Sequence, residues 1–219
     1  MNAIDPKRIV EQGYDDLDDT YRRWVQGARD GYRSEFLAGI LAEVPVSGDV
    51  LEIGCGPGTD AAALAECRRY TGVDLSGAQL EHARQVAPGG TFLRADVSKV
   101  AFPPSCFDAV VSFYVFNHIP QDEMEPLFRR ILTWLRSGGR LFASFGTSDN
   151  PGTVEPMWLG QADMYFSSLP VGRNDALLRE VGFVIESADT VTELEEGEGH
   201  ARFHWVVAQT PAREGMDPR

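Results

Sequence analysis

Cysteine and long apolar runs are both scarce in this chain. The cysteines are odd in number and widely spaced, which gives no disulfide framework and no C-x-x-C metal pair: Cys55, Cys67 and Cys106. No apolar run approaches the roughly 20 residues that a membrane span requires. The polar first ten residues lack the apolar core of a signal peptide. We therefore expect a cytoplasmic protein with no membrane partner.

Basic residues are also in short supply. Lysine and arginine number 20 against 33 aspartates and glutamates, which gives a formal net charge of -13. A chain this acidic is repelled by phosphate backbones, so we expect no nucleic-acid partner. Of the four histidines, only His200 and His204 have the H-x-x-x-H spacing of a helical zinc pair, and they fall in the predicted final hairpin and not in a helix. We therefore expect no metal at these residues or at His82 and His118.

What is present suffices for one well-packed domain. The 219 residues are 43% apolar and 24% charged, and the chain is too short for two comfortable domains. We therefore expect residues 1–219 to form a single domain. Residues 1–45 are polar but helical in pattern, and their aromatic side chains predict a helical lid laid over that domain. Nothing in the pattern indicates an oligomeric state.

From residue 49 onward, short apolar runs alternate with helical patterns, which predicts an α/β fold with helices on both faces of a mostly parallel sheet. We expect seven strands: Val50–Ile53, Thr71–Val73, Thr91–Leu93, Ala109–Phe113, Arg140–Phe145, Phe183–Ala188 and Arg202–Ala208. The connection between the last two is polar and too short for a crossover helix. These two strands should therefore form a C-terminal antiparallel hairpin.

Two of the predicted helices have recognisable ends. The helical pattern that includes Met124 should end at Gly138-Gly139. Asn174 should cap a later helix, and Gly182 should close it.

A glycine-rich turn follows the first predicted strand. Gly54, Gly56 and Gly58 stand at alternate positions in Val50-Leu-Glu-Ile-Gly-Cys-Gly-Pro-Gly-Thr-Asp60. Glycine permits a positive φ and lets a ligand approach the backbone with no Cβ in the way. Open parallel sheets bind ligands beyond the carboxyl ends of their strands, so the position also favours a ligand site. The alternative is a plain glycine-rich turn.

Two aspartates follow the next two predicted strands. Asp74 ends the second strand about twenty residues after Gly54, where a carboxylate can accept from both ribose hydroxyls. Asp96 ends the third strand, where a carboxylate can accept from an adenine amino group. Each aspartate alone is equally typical of a helix cap or a turn. Together, the glycine turn, Asp74 and Asp96 lie at three successive strand ends and suit different parts of a nucleotide, which favours a nucleotide site.

The glycine spacing distinguishes between nucleotides, because a dinucleotide fingerprint would need a third glycine where the chain has Thr59. The pattern Glu52-x-Gly54-x-Gly56-x-Gly58 instead resembles the E/D-x-G-x-G-x-G signature of the class I S-adenosylmethionine-dependent methyltransferases. The likeness is greatest to small bacterial enzymes that methylate metabolites, and it covers residues 14–208. It continues through later motifs: Asp74, Asp96-Val97, Phe107-Asp-Ala-Val-Val-Ser-Phe113 and Leu135-Arg-Ser-Gly-Gly-Arg-Leu141.

The resemblance implies a Rossmann-like sheet, S-adenosylmethionine as cofactor, methyl transfer and a small-molecule acceptor. It implies that Asp74 holds the ribose hydroxyls, that Asp96 accepts from the adenine amino group, and that an N-terminal tyrosine reaches the cofactor carboxylate. The cofactor-binding residues it implies are Tyr14 or Tyr21, Glu52, Gly54, Gly56, Gly58, Asp74, Leu75, Asp96, Val97, Ser112 and Phe113. The alternative for both tyrosines is packing within the lid.

The acceptor wall is expected from the lid, the segment after the fourth strand and the loop at residues 146–172, which shows no obvious regular structure. Four residues of that loop are candidates to line an acceptor pocket, the alternative being that they pack the loop down: Trp158, Met164, Tyr165 and Phe166. Their character favours an apolar or aromatic acceptor, of the kind methylated in secondary metabolism.

His118 follows the strand that borders the sulfonium in the resemblance. Its ordinary pKa near neutrality makes it the candidate catalytic residue, as a general base or as the group that orients the acceptor. The alternative is a helix-entry histidine that only shapes the cofactor pocket. Proton removal matters only for an un-ionised hydroxyl or a protonated amine. The sequence leaves O-, N- and C-methylation open.

Three other functions are alternatives to methyl transfer to a small molecule. An NAD(P)-dependent oxidoreductase is disfavoured by Thr59 and by the lack of a Tyr-x-x-x-Lys pair, since Lys7 and Lys99 are the only lysines. A nucleic-acid methyltransferase is disfavoured because the segment after Ser112 is not of the Asn-Pro-Pro-Tyr type. A cofactor-binding protein of the same fold, without catalysis or with another group transfer, stays open.

Overall fold

Strands and helices alternate along the described residues of this computed structural model, which are 5–27, 31–66, 68–195 and 199–212. The strands are β1 (Asp49–Ile53), β2 (Arg69–Asp74), β3 (Thr91–Arg94), β4 (Phe107–Ser112), β5 (Leu135–Gly146), β6 (Asn150–Trp158), β7 (Ala162–Ser168), β8 (Val184–Glu195) and β9 (Gly199–Gln209). The helices are α1 (Pro6–Gly27), α2 (Tyr32–Glu43), α3 (Ala61–Ala65), α4 (Gly77–Val86), α5 (Gln121–Trp134) and α6 (Val171–Val181). Cys67 lies outside the described residues.

Seven strands form one sheet in the order β3-β2-β1-β4-β5-β9-β8. The five strands from β3 to β5 are parallel, whereas β9 runs antiparallel to both β5 and β8. The predicted mostly parallel sheet with its C-terminal antiparallel hairpin is therefore confirmed. The chain leaves β1 in one direction toward β2 and returns to place β4 on the other side of β1. Such a reversal opens a crevice at the carboxyl ends of the two strands.

The core lies on both faces of this sheet. Because side chains alternate along a strand, Leu51 and Val110 pack on the α5 and α6 side, whereas Val50 and Val111 pack on the α2 and α3 side. All four are fully buried. Continuous apolar strands of this kind are typical of a parallel sheet covered by helices. None of the described helices is long and apolar enough to cross a membrane.

The helix ends depart from the sequence predictions in two places. Helix α5 ends at Trp134 rather than at Gly138-Gly139, because the two glycines belong to a bulge of β5 in which Gly138 has φ +75°. Asn174 lies inside α6 instead of capping it, and its amide donates to the carbonyls of Leu169 and Gly146. Gly182 closes α6 in a left-handed conformation with φ +118°, as predicted.

Residues 146–172 are a further correction, because they are not an irregular loop. Strands β6 and β7 pair as a separate antiparallel hairpin, whose register shifts and mostly exposed β6 hide the alternation expected of a strand. The hairpin packs against α1 through a small apolar cluster: Val10, Leu17, Trp158, Ala162, Met164 and Tyr165. Helix α1 thereby lies over the carboxyl edge of the sheet.

The two helices of residues 1–45 occupy different places. Helix α2 packs on a face of the sheet, where Ile40 is fully buried. Helix α1 instead crosses the strand ends and is kinked at Asp18, which has φ +30°. The Asp18 carboxylate lies 2.8 Å from Nε2 of His82 on α4. Only α1 is therefore placed to cover a site at the strand ends.

Candidate functional site

A cavity, the strand-end cavity, lies at the crevice between β1 and β4 beneath α1. The sequence-predicted residues that it brings together are Tyr14, Tyr21, Gly54, Gly56, Asp74, Leu75, Asp96, Val97, Phe113 and His118. Lys7 and Tyr114 also line this cavity.

The glycine turn forms the floor of this cavity. Gly54, Gly56 and Gly58 have φ of +67°, +51° and +84°, a backbone that other residues rarely adopt. A Cβ on Gly54 would collide with the side chain of Val115. A Cβ on Gly58 would lie 2.9 Å from the Cα of Ala83, so Gly58 packs the turn against α4 and does not line the cavity. Two of the three glycines therefore face the ligand space.

Asp74 ties the glycine turn to the end of β2. Its Oδ2 accepts from the amide of Gly56 and its Oδ1 from the amide of Ser76, each at 2.8 Å. Burial raises the pKa of Asp74 to about 6, although both amides lower it. Each carboxylate oxygen can accept a second hydrogen bond. The pair of oxygens can therefore also receive two hydroxyl donors from the cavity.

Asp96 is joined to α1 by Lys7. The Nζ of Lys7 lies 3.0 Å from Oδ2 of Asp96, and the same Nζ contacts Glu123 at the start of α5. Burial alone would raise the pKa of Asp96, but hydrogen bonds from Lys7, Ser98 and Lys99 hold it below its usual value. The sequence analysis did not select Lys7, because nothing local marks a lysine whose partner is 89 residues away.

Two predicted cofactor residues lie beneath the cavity instead of lining it. Glu52 is buried, accepts a hydrogen bond from the hydroxyl of Tyr70 at 2.5 Å, and has its pKa raised by that burial. Ser112 is fully buried, and its hydroxyl has no hydrogen-bond partner among the described residues. Both side chains belong to the floor that supports the glycine turn and the end of β4.

A second space, the outer cavity, opens beside the first. Of the four predicted acceptor residues of the hairpin, Trp158 and Phe166 line it. Met164 and Tyr165 are buried between α1 and β7 and line neither cavity. The two cavities share four lining residues and therefore meet at Tyr14, Tyr21, Tyr114 and His118.

His118 has both ring nitrogens engaged. Nδ1 lies 2.7 Å from the carbonyl oxygen of Tyr165, and Nε2 lies 2.9 Å from the hydroxyl of Tyr14. Burial lowers the pKa of His118 to about 4, so the ring is neutral. A carbonyl only accepts, so Nδ1 carries the proton and Nε2 accepts from Tyr14. His118 is therefore arranged to orient Tyr14.

Tyr114, which the sequence analysis also missed, occupies the junction in a left-handed conformation with φ +59°. Its amide donates to Oγ of Ser144 at 2.8 Å, and its hydroxyl donates to Oε2 of Glu193 at 2.7 Å. A bulky residue in this region of φ is strained and is held there by such contacts. Its position next to Phe113 was the only signal in the sequence.

Comparison with known proteins gives a domain for the central part of the chain. Residues 50–139 match the protein family described as "Methyltransferase domain". A trans-aconitate 2-methyltransferase of Rhodopseudomonas palustris (strain BisB5) is 36% identical over 107 residues, which are 47% of this chain and 41% of that protein. The chain thus spans less than half the length of the curated relatives it matches.

Solved structures agree over nearly the whole chain. The structure described as the DhpI–SAH complex has a TM-score of 0.76 at 18% identity and covers 94% of this chain and 97% of that one. Magnesium protoporphyrin IX methyltransferase of Synechocystis with bound SAH has a TM-score of 0.68 at 18% identity, over 94% and 100% of the two chains. At these identities the likeness establishes the fold.

Proposed function

We propose that this chain is a class I S-adenosylmethionine-dependent methyltransferase and that it transfers a methyl group from S-adenosylmethionine to a small molecule held in the outer cavity. The observation that carries the proposal is the meeting of the two cavities at three tyrosines and a histidine. One cavity has the strand-end position and the residues of a nucleoside site, and the other is open to a second reactant. A group transferred between the two ligands would pass beside these four side chains.

The residues of the strand-end cavity fit the adenosyl group. Asp74 offers two carboxylate oxygens to a ribose diol, and the apolar side chains of Leu75 and Val97 offer an adenine its packing surface. Aromatic faces attract a sulfonium as they attract other cations, and Tyr21 and Phe113 line the end of the cavity near the junction. Asp96 holds two lysines and would accept from the adenine amino group as one more donor.

S-adenosylmethionine supplies a methyl group whose bond to the sulfonium sulfur breaks as its bond to the acceptor forms. The rest of the donor leaves as a neutral thioether. The protein then has to hold the acceptor close and in line while water is excluded. Helix α1 and the β6–β7 hairpin cover the junction through their shared apolar cluster. In our proposal Tyr14, oriented by His118, accepts a hydrogen bond from the hydroxyl or amine of the acceptor. A histidine with a pKa of about 4 is a weak base, so its role is to position Tyr14.

The test is turnover with a methyl-labelled donor against a panel of candidate acceptors. The panel includes trans-aconitate, because relatives carry that name, together with uncharged aromatic alcohols and amines. We expect S-adenosylhomocysteine and a labelled product with at least one acceptor, and loss of turnover in D74A. Binding of S-adenosylhomocysteine without turnover on any acceptor would instead support a non-catalytic protein of this fold.

A further inference from the structure

The outer cavity has an aromatic wall. Eight aromatic side chains line it, and the other uncharged lining residues are mostly small or hydroxylated: Tyr14, Tyr21, Trp24, Tyr32, Tyr114, Trp158, Phe166 and Phe203. Several of these rings already pack edge-to-face, as Tyr14 does against Trp158 with centroids 6.0 Å apart. Rings arranged in this way present both faces and edges to a flat ligand, which favours an aromatic acceptor.

The charges on the same wall do not suit an anion. Among the described residues only four charged side chains line it: Arg33, Glu155, Glu193 and Arg202. Arg33 is buried and its Nη2 lies 2.6 Å from Oδ2 of Asp60, so its charge is balanced from behind. Arg202 then stands against two glutamates. Carboxylate recognition relies on arginine forks whose charge is not already balanced, and the one such arginine of this wall, Arg202, shares the wall with two carboxylates.

Glu193 places one of these carboxylates beside Tyr114, at the junction of the two cavities. Its Oε2 accepts from the hydroxyl of Tyr114 at 2.7 Å, and its Oε1 accepts from Nε1 of Trp205 at 3.0 Å. Both oxygens are therefore fixed in place by donors from β9 and from the end of β4. A charge held rigidly beside the transfer position acts on any acceptor that reaches Tyr114. A second carboxylate placed there would meet like-charge repulsion.

We propose that the acceptor is an uncharged or cationic aromatic molecule, and that Glu193 is the specificity-determining residue that excludes carboxylate-bearing acceptors. This inference rests on the proposed function, because it assigns the outer cavity to the acceptor. It names a substrate class that differs from the tricarboxylate in the name of the curated relatives. The aromatic wall supplies the attraction, and Glu193 with Glu155 supplies the discrimination.

The experiment measures, by calorimetry, the affinity of three probes for protein saturated with S-adenosylhomocysteine. The probes share the naphthalene ring system and differ in charge. The probes are 2-naphthol, 2-naphthylmethylammonium and 2-naphthoate. We expect the neutral and cationic probes to bind at least about tenfold more tightly than the carboxylate, which corresponds to about 1.4 kcal/mol. E193Q should narrow that ratio, whereas E125Q, the same charge change on the exposed face of α5, should leave it unchanged.

The result that overturns the proposal is 2-naphthoate binding as tightly as 2-naphthol, or no measurable binding of the neutral and cationic probes at millimolar concentration. The wild-type ratio decides this even if E193Q loses the packing of Tyr114 and Trp205, and the thermal midpoint of each variant reports such a loss. Saturation with S-adenosylhomocysteine is measured first. Failure of that step contradicts the proposed function, whereas a wrong probe order after it contradicts only the acceptor class.

Discussion

The hydroxyl of Tyr14 lies 2.9 Å from Nε2 of His118, although the two residues are 104 positions apart. This contact joins the covering helix α1 to the short 3-10 helix that follows β4. The other nitrogen of the ring is held by the carbonyl of Tyr165 in the hairpin. One imidazole therefore links three separate segments of the chain at the point where the two cavities meet.

The Tyr14–His118 contact should behave as a unit in catalysis. Y14F and H118A are each expected to lower kcat by about 10- to 100-fold, because positioned hydrogen-bonding groups contribute on that scale. The double variant should be no slower than the slower single variant, since each substitution removes the same interaction. Steady-state turnover with an active acceptor measures all three, and H200A at an exposed site in β9 serves as the histidine control. Fully additive losses would show that the two residues act separately.

Cofactor affinity should depend on the ionisation of Asp74. Its pKa is raised to about 6 mainly by burial, with the nearby charge of Asp15 adding to the rise. The ionised form is the one that accepts from a diol, so affinity for S-adenosylhomocysteine should fall as the pH drops through 6, by about tenfold at pH 5 relative to pH 7.5. D74N should bind about 10- to 100-fold more weakly and lose this dependence. D122N on α5 is the control, and an unchanged pH profile in D74N would remove Asp74 from the site.

The only two lysines provide a matched pair of variants. The side chain of Lys7 is 7% exposed and that of Lys99 is 73% exposed, and both bind Oδ2 of Asp96. K7A should lower the free energy of unfolding by about 1 to 3 kcal/mol, because it removes the buried cation that Asp96 and Glu123 share, and should speed the release of S-adenosylhomocysteine by loosening α1. K99A should change neither quantity. Guanidinium unfolding and stopped-flow release measure them, and equal effects of the two variants would show that burial of Lys7 is unimportant.

The glycines of the turn should divide into two kinds. G56A places a methyl group in the cavity at φ +51° and should weaken cofactor binding, with a loss of stability of about 1 to 2 kcal/mol from the left-handed backbone. G58A also meets the backbone of Ala83, so its larger loss, about 2 to 4 kcal/mol, should fall mainly on stability. G172A in α6, which has open space around it, is the control. If G58A weakened cofactor binding more than G56A did, without a loss of stability, the roles assigned to the two glycines would be wrong.

Much of the fold could be predicted because its signals are local. Each of the seven strands of the main sheet contains a short apolar run, and all seven were found, although β5 begins at Leu135 instead of Arg140 and β8 continues to Glu195 instead of ending at Ala188. The spacing of Gly54, Gly56 and Gly58 reports a positive φ that only glycine accepts readily. The match of residues 50–139 to a methyltransferase domain and the likeness in fold to solved structures agree with the family that these motifs indicate.

The rest could not be predicted because it depends on contacts between distant segments. The β6–β7 hairpin packs against α1 and its strands lack a regular alternation of apolar and polar residues, so the sequence of residues 146–172 shows no strand pattern. Lys7 and Glu193 reach the cavities only when the folded chain brings them against Asp96 and Tyr114, which are distant in the sequence. The roles of individual site residues, the single-domain organisation, the cytoplasmic location and the absence of nucleic-acid and metal partners stay predictions.

The central claim is that the strand-end cavity binds an S-adenosyl ligand, and calorimetric titration of the purified protein with S-adenosylhomocysteine tests it most directly. NADH and NADPH serve as controls, and D74A serves as the variant. The account predicts saturable one-site binding of S-adenosylhomocysteine, much weaker binding in D74A, and none of either nicotinamide nucleotide. No binding by folded wild-type protein, or tighter binding of NADH or NADPH, would contradict it.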